Sequence, residues 1–171
     1  MSSLLPRVFA ILTTTPERWR TLAKTLPADL LFEKPIPGEW SAMECLQHLI
    51  DTESVFQSRL SAFREGHDFT AFNPDEEGTN IDNPTPGSLA EAFAGCRAES
   101  LRRLKGFTLT DLGLRARHAE LGAVTLEQMI NEWAAHDLNH TVQAERALMQ
   151  PFLRECGPWQ KYFADHLITM K

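Results

Sequence analysis

His136 and His140, in the run Trp133-Ala134-Ala135-His136-Asp137-Leu138-Asn139-His140, are the residues whose types and spacing point most directly to chemistry. The segment has helical periodicity, and a spacing of four sets both imidazoles on one face, roughly 6 Å apart along the axis. A single metal ion bridges such a separation. The same face is apolar: Leu126, Met129, Ile130, Trp133, Ala144, Ala147 and Leu148 form a stripe that includes both histidines. An imidazole on an interior stripe is either a satisfied core group or a ligand. Asp137 stands where zinc proteases carry a glutamate after the first histidine, so the pair is not a protease signature.

A helix predicted over 41–65 offers a third nitrogen. Its apolar face runs through Ala42, Cys45, Leu46, Leu49, Phe56, Leu60 and Phe63. His48 lies at the edge of that face, in line with Thr52, Val55 and Arg59. On the residues alone, His48 is either a boundary residue of the core or a ligand that meets the pair. Three neutral imidazoles and an open position are the pattern of a catalytic divalent site, whereas structural zinc sites are closed by four protein ligands, often cysteines. The three cysteines, at 45, 96 and 156, form no Cys-x-x-Cys pair. Their odd number without framework spacing points to a reducing compartment.

The elements that must position these residues are helices. Ser41-Ala42-Met43-Glu44, Ser88-Leu89-Ala90-Glu91 and Thr125-Leu126-Glu127-Gln128 each read as a capping box. They predict helices over 41–65, 88–105 and 125–149, after a first helix over 3–25 that Thr15-Pro16 is expected to kink or split. A short helix is expected over 158–167. Prolines mark loops over 26–38 and 73–87; the second is a long crossover of the kind that often carries function. Residues 114–124, around Gly122, predict a small β-hairpin. Four long helices and one long crossover make an all-α four-helix bundle, whose core can build a metal site from facing helices. The expected organisation is one domain over 1–171.

Composition narrows the function. The net charge is −6, and no basic cluster exceeds the adjacent Arg102-Arg103, so nucleic acid is not an expected partner. The apolar start of the chain is interrupted by Pro6 and Arg7 and is too short for a signal core or a membrane span, so the expected location is the cytoplasm, with no membrane partner. There is no Ser-His-Asp signature, phosphate loop or nucleotide fingerprint.

Three ordered blocks resemble the DinB/YfiT-like metal-binding four-helix-bundle family, which is distinct from the DNA polymerase sharing the name. Trp40-Ser41-Ala42-Met43-Glu44, continuing to His48-Leu49-Ile50-Asp51-Thr52-Glu53, resembles its Trp-Ser-x-x-Glu…His-Leu-x-Asp-x-Glu block. His118-Ala119-Glu120-Leu121-Gly122-Ala123-Val124-Thr125-Leu126 resembles its lead into the last helix. His136-Asp137-Leu138-Asn139-His140-Thr141-Val142-Gln143 resembles its His-Asp-x-x-His-x-x-Gln block. The resemblance covers nearly the whole chain. It implies an up-down-down-up bundle, a divalent metal held by His48, His136 and His140, and a homodimer.

Relatives of this type act as thiol transferases, thiol-dependent isomerases or hydrolases. The expected function is therefore a metal-dependent thiol S-transferase acting on a small electrophile, with a low-molecular-weight thiol as cosubstrate and zinc, nickel or iron as the metal. The alternatives are a metal-dependent hydrolase and a non-catalytic metal- or ligand-binding stress-response protein. Asp51, three residues past His48, is the candidate catalytic carboxylate, placed to hold a water or orient an imidazole. Asp137 is expected in a buried structural network. Glu132, four before His136, is a candidate neighbour of the ligands. His118 is expected to be structural or at a pocket rim, and His67 and His166 solvated. Trp40, Trp133 and Trp159 are expected in the core, and Glu53, Arg59 and Arg146 are candidates for an interior ion pair.

Overall fold

The computed structural model describes residues 4–69, 71–72 and 83–170. Four long helices form the bundle: α1 (Leu4–Thr25), α3 (Ala42–Glu65), α4 (Pro86–Leu104) and α5 (Leu126–Glu155), with a short α2 (Ala28–Phe32) inside the first proline-rich connection. Helices α1 and α3 each pack against both α4 and α5, which closes the ring. A hairpin of β1 (Arg115–His118) and β2 (Gly122–Thr125) pairs antiparallel and leads directly into α5. Gly122, at φ +75, supplies the left-handed residue that closes its turn. Two stretches of 3-10 helix flank these elements, at Leu109–Gly113 and at Gly157–His166, the second kinked at Phe163.

Capping fixes where the site-bearing helices begin. Ser41 Oγ accepts from the Glu44 amide at 3.2 Å and Glu44 Oε2 accepts from the Ser41 amide at 2.8 Å, the box predicted for α3. Thr125 and Gln128 form the reciprocal pair on α5, at 3.2 and 2.8 Å. On α4 the cap is three residues earlier than the sequence suggests. Thr85 is the cap, Pro86 opens the helix, and Ser88 is the far partner of the box. Glu91 instead pairs with Arg20 of α1. Most of the predicted 73–87 crossover lies outside the described residues.

Helix runs through both prolines. Pro16 neither splits nor ends α1, and Pro151 lies inside α5, which runs six residues past its predicted end. Pro16 deprives the Leu12 carbonyl of its helical donor, and Arg97 Nη1 of α4 replaces it at 3.1 Å. Burial of Leu153 keeps the turn after Pro151 packed. The short helix expected in the tail is present as 3-10 helix over Gly157–His166, but its Trp159 is 66% exposed, not part of the core.

Two apolar clusters fill the bundle. One gathers Leu12, Phe56, Leu60, Phe63, Ile130 and Trp133; the other Trp19, Leu46, Leu49, Leu89, Phe93 and Leu148. Between them lies a buried polar layer. Arg97 binds Asp137 in a bidentate fork at 2.6 and 2.8 Å, and its Nε reaches Glu53 at 2.7 Å. Ser100 Oγ donates to the other Glu53 oxygen at 2.5 Å. Asp137 is thus in the buried network the sequence suggests. Glu53, however, pairs with Arg97, while Arg59 faces Phe69 and Arg146 reaches the Asp165 carbonyl. Arg97 escapes a sequence reading because its helix carries several arginines of similar appearance.

Candidate metal centre

The polar layer fixes the level at which three histidines meet. Helix α3 carries His48, and α5 carries His136 and His140 one turn apart, on either side of the Asp137 that Arg97 grips. One ligand nitrogen from each histidine lies within 4.8 Å of the other two, a group that could hold a metal ion. The Nε2 atoms of His48 and His136 are 3.1 Å apart. Two nitrogens at about 2.05 Å from a tetrahedral ion are about 3.3 Å apart, so the spacing matches ligands rather than packed rings. The ring centres of His140 lie 4.5 Å from each of the other two.

The protonation chemistry fits the same role. Burial, reinforced by the positive field of His140, His48, Arg97 and Arg59, pushes His136 down to about 3. Burial also lowers His140, against the opposing effects of Gln143 and Asp137. Both imidazoles are therefore neutral near pH 7, as metal ligation requires. The Nδ1 of His140 faces Gln143 Oε1 at 2.9 Å. Since the amide oxygen only accepts, the proton sits on Nδ1 and Nε2 keeps its lone pair. His136 Nδ1 is buried without a hydrogen-bond partner among the described residues.

Aromatic rings wall the group. Trp40 lies 5.0 Å from the His48 ring and stacks 5.9 Å over His140, while it also packs, partly buried, against the second apolar cluster. Phe56 meets His136 edge-on at 5.9 Å and stacks on the fully buried Trp133 at 4.1 Å. Gln143 and Trp40 both belong to the blocks read in the sequence, but their contacts with the histidines become visible only in three dimensions.

The remaining candidates separate cleanly. Asp51 is not part of the nitrogen cluster; its Oδ1 accepts from Gln47 Nε2 at 3.0 Å, along its own helix. His118 is buried in β1, where its Nδ1 accepts from the amides of Glu120 and Leu121 at 3.1 and 3.3 Å, and it borders a cavity. That is the structural, rim role expected of it. His67 and His166 are exposed. Burial holds the Cys45 thiol up at about 12, so this cysteine stays protonated and inert although it lies one turn from His48.

Residues 11–144 match the model of the DinB superfamily. The chain belongs to that superfamily. Among solved structures, YfiT from Bacillus subtilis superimposes with a TM-score of 0.76 at 14% identity, over 89% of this chain and 90% of its own. It is described as a probable metal-dependent hydrolase with an unusual four-helix bundle topology. The DinB-like protein YjoA, also from Bacillus subtilis, matches with a TM-score of 0.58 at 17% identity, over 88% of this chain and 92% of its own. At such identities the likeness establishes the shared bundle. No curated protein matches the chain.

Proposed function

We propose that this DinB-superfamily protein is a metal-dependent enzyme in which His48, His136 and His140 hold one divalent transition metal and leave positions open to reactants. The observation that carries the reading is the convergence of three imidazoles, two of them kept neutral by burial, with nitrogens close enough to share one ion. A divalent ion there supplies Lewis acidity that lowers the pKa of a thiol or a water toward neutrality. An all-imidazole set adds no negative charge, so that acidity is not blunted.

The chain's own residues orient and enclose. Gln143 fixes the His140 tautomer, Asp137 and Arg97 hold the turn between the two α5 histidines, and Trp40 and Phe56 limit water. The reaction proposed first is transfer of a low-molecular-weight thiol to a small electrophile. A thiol ionises more readily than water and places less demand on a neighbouring base, and the nitrogen cluster includes no carboxylate. Hydrolysis is the second reading, favoured by the description of YfiT. Asp51, one turn from His48, is proposed to orient the incoming nucleophile.

The test is elemental analysis of untagged protein, followed by a panel of thiols with electrophiles beside ester, amide and lactone substrates. About one equivalent of metal, lost in His136→Ala and His140→Ala together with all turnover, is the expected result. Full turnover in a metal-free variant would sink the proposal. Asp51→Asn is expected to keep the metal and lose at least tenfold in kcat.

A further inference from the structure

Arg59 is a charge that lies outside the three metal ligands. It stands on α3 in line with His48, Thr52 and Val55, half-buried, with its guanidinium carbon 5.2 Å from the centre of the Phe69 ring. Its Nε is buried and has no hydrogen-bond partner among the described residues. Glu132 acts on it through space, without closing to an ion pair among the described residues. Burial pushes the Glu132 carboxyl up, against the opposing pull of the Arg59 charge. A guanidinium keeps its charge under such conditions. A partly desolvated cation with an idle donor is a group waiting for an anion.

A cavity of about 350 Å³ lies against it. Its walls are largely apolar, from Phe69, Phe72, Leu121, Val124 and Met129. Its polar lining includes donors. Because His118 Nδ1 accepts two amides, the neutral ring carries its proton on Nε2. Gln128 spends its Oε1 on the Thr125 amide and keeps its NH2 group. Two acids, Glu120 and Glu132, also border the space. None of the three metal-site histidines lines the cavity; its link to them is Glu132, on its border and one turn before His136 on α5, and the charge of Arg59, which His136 feels through space.

We propose that this cavity anchors the substrate, and that the substrate class is a small molecule with an apolar body and one carboxylate held by Arg59. Calling the ligand a substrate rests on the metal-centre reading; the binding itself does not.

The test measures binding of 3-phenylpropanoate, 3-phenylpropanamide and 3-phenylpropylamine by calorimetry and ligand-observed NMR. It uses chelated wild-type protein and the His140→Ala variant, so that no metal can bind the carboxylate. The acid is expected to bind at least tenfold more tightly than the amide, and the amine more weakly still. Arg59→Met is expected to erase the acid's advantage with an unchanged far-ultraviolet spectrum and unchanged metal content, and Arg59→Lys to retain part of it. Equal binding of acid and amide, a preference for the amine, or an undiminished preference in Arg59→Met would overturn the proposal. If Arg59→Met does not fold, the comparison of the three probes on wild-type protein decides alone. An acid preference in protein that never takes up metal would uphold the anion site while the enzymatic reading fails; one equivalent of metal without an acid preference would do the reverse.

Discussion

His136 carries the heaviest electrostatic load of the three imidazoles. Held near 3 by burial and four neighbouring positive fields, it stays neutral long after an ordinary histidine at 6.5 would have charged. The sign of the stability effect follows. Between those two values the unfolded chain binds the proton that the folded chain refuses, so acidification favours unfolding. Above pH 6.5 both states are neutral and this contribution to pH dependence vanishes. The urea midpoint of metal-free protein is therefore expected to fall as pH drops from 7 to 5, and His136→Phe, which removes the group but keeps a ring, is expected to flatten that fall. Glu53 and Glu132, both raised by burial, work in the opposite sense and are common to the two proteins, so the comparison isolates the histidine. Parallel curves would mean that His136 is far less desolvated than its surroundings imply.

At the scale of the elements, all four long helices are tied at one level by Arg97. Its guanidinium donates to the Leu12 carbonyl of α1, to Glu53 of α3 and to Asp137 of α5. Removing it in Arg97→Ala leaves two buried carboxylates without a cation, which costs about 3–5 kcal/mol and is expected to lower Tm sharply. Pro16→Ala is expected to act the other way. It restores an amide to the Leu12 carbonyl, which has two lone pairs and can keep Arg97 as well, so a rise in stability of about 1 kcal/mol or more is expected from removing an interior proline. A fall in Tm on Pro16→Ala would show that the Arg97 bond needs the vacancy. This layer also explains what was legible in the sequence and what was not. The four helices, the hairpin and two of the capping boxes follow from local periodicity and side-chain chemistry, and the α5 histidine pair follows from spacing on one helix. Pairings between helices do not. Any of several arginines could pair with Glu53 on sequence grounds, and nothing local distinguishes Trp40, which lies against the histidines, from Trp159, which is exposed. The α4 cap went to Thr85 because Thr85-Pro86 supplies both an oxygen and a residue that needs no donor, a signal present in the chain but outweighed by Ser88 and Glu91.

For the molecule as a whole, the three histidines lie at the level of the polar layer, between two apolar clusters that each pack without them. A metal held by His48 and by His136 and His140 would clamp α3 to α5 at mid-height. Both clusters persist when it leaves, so the metal-free chain is expected to stay folded at 25 °C, unlike a zinc finger, whose core cannot form alone. The clamp should nonetheless register globally. An ion at a thousand times its Kd stabilises the native state by about 4 kcal/mol, and in a chain of this size 1 kcal/mol moves Tm by about 2–4 °C. Chelation is thus expected to lower Tm by roughly 10 °C in the wild type and not at all in His140→Ala. Hydrogen exchange on the same pair of samples locates the effect. If the clamp couples the two halves of the bundle, protection falls at both ends of α3 and α5. If only the turns next to the histidines lose protection, the metal is a local ligand and the polar layer alone holds the helices in register. An unchanged Tm after one equivalent of metal has been removed would refute the clamp outright.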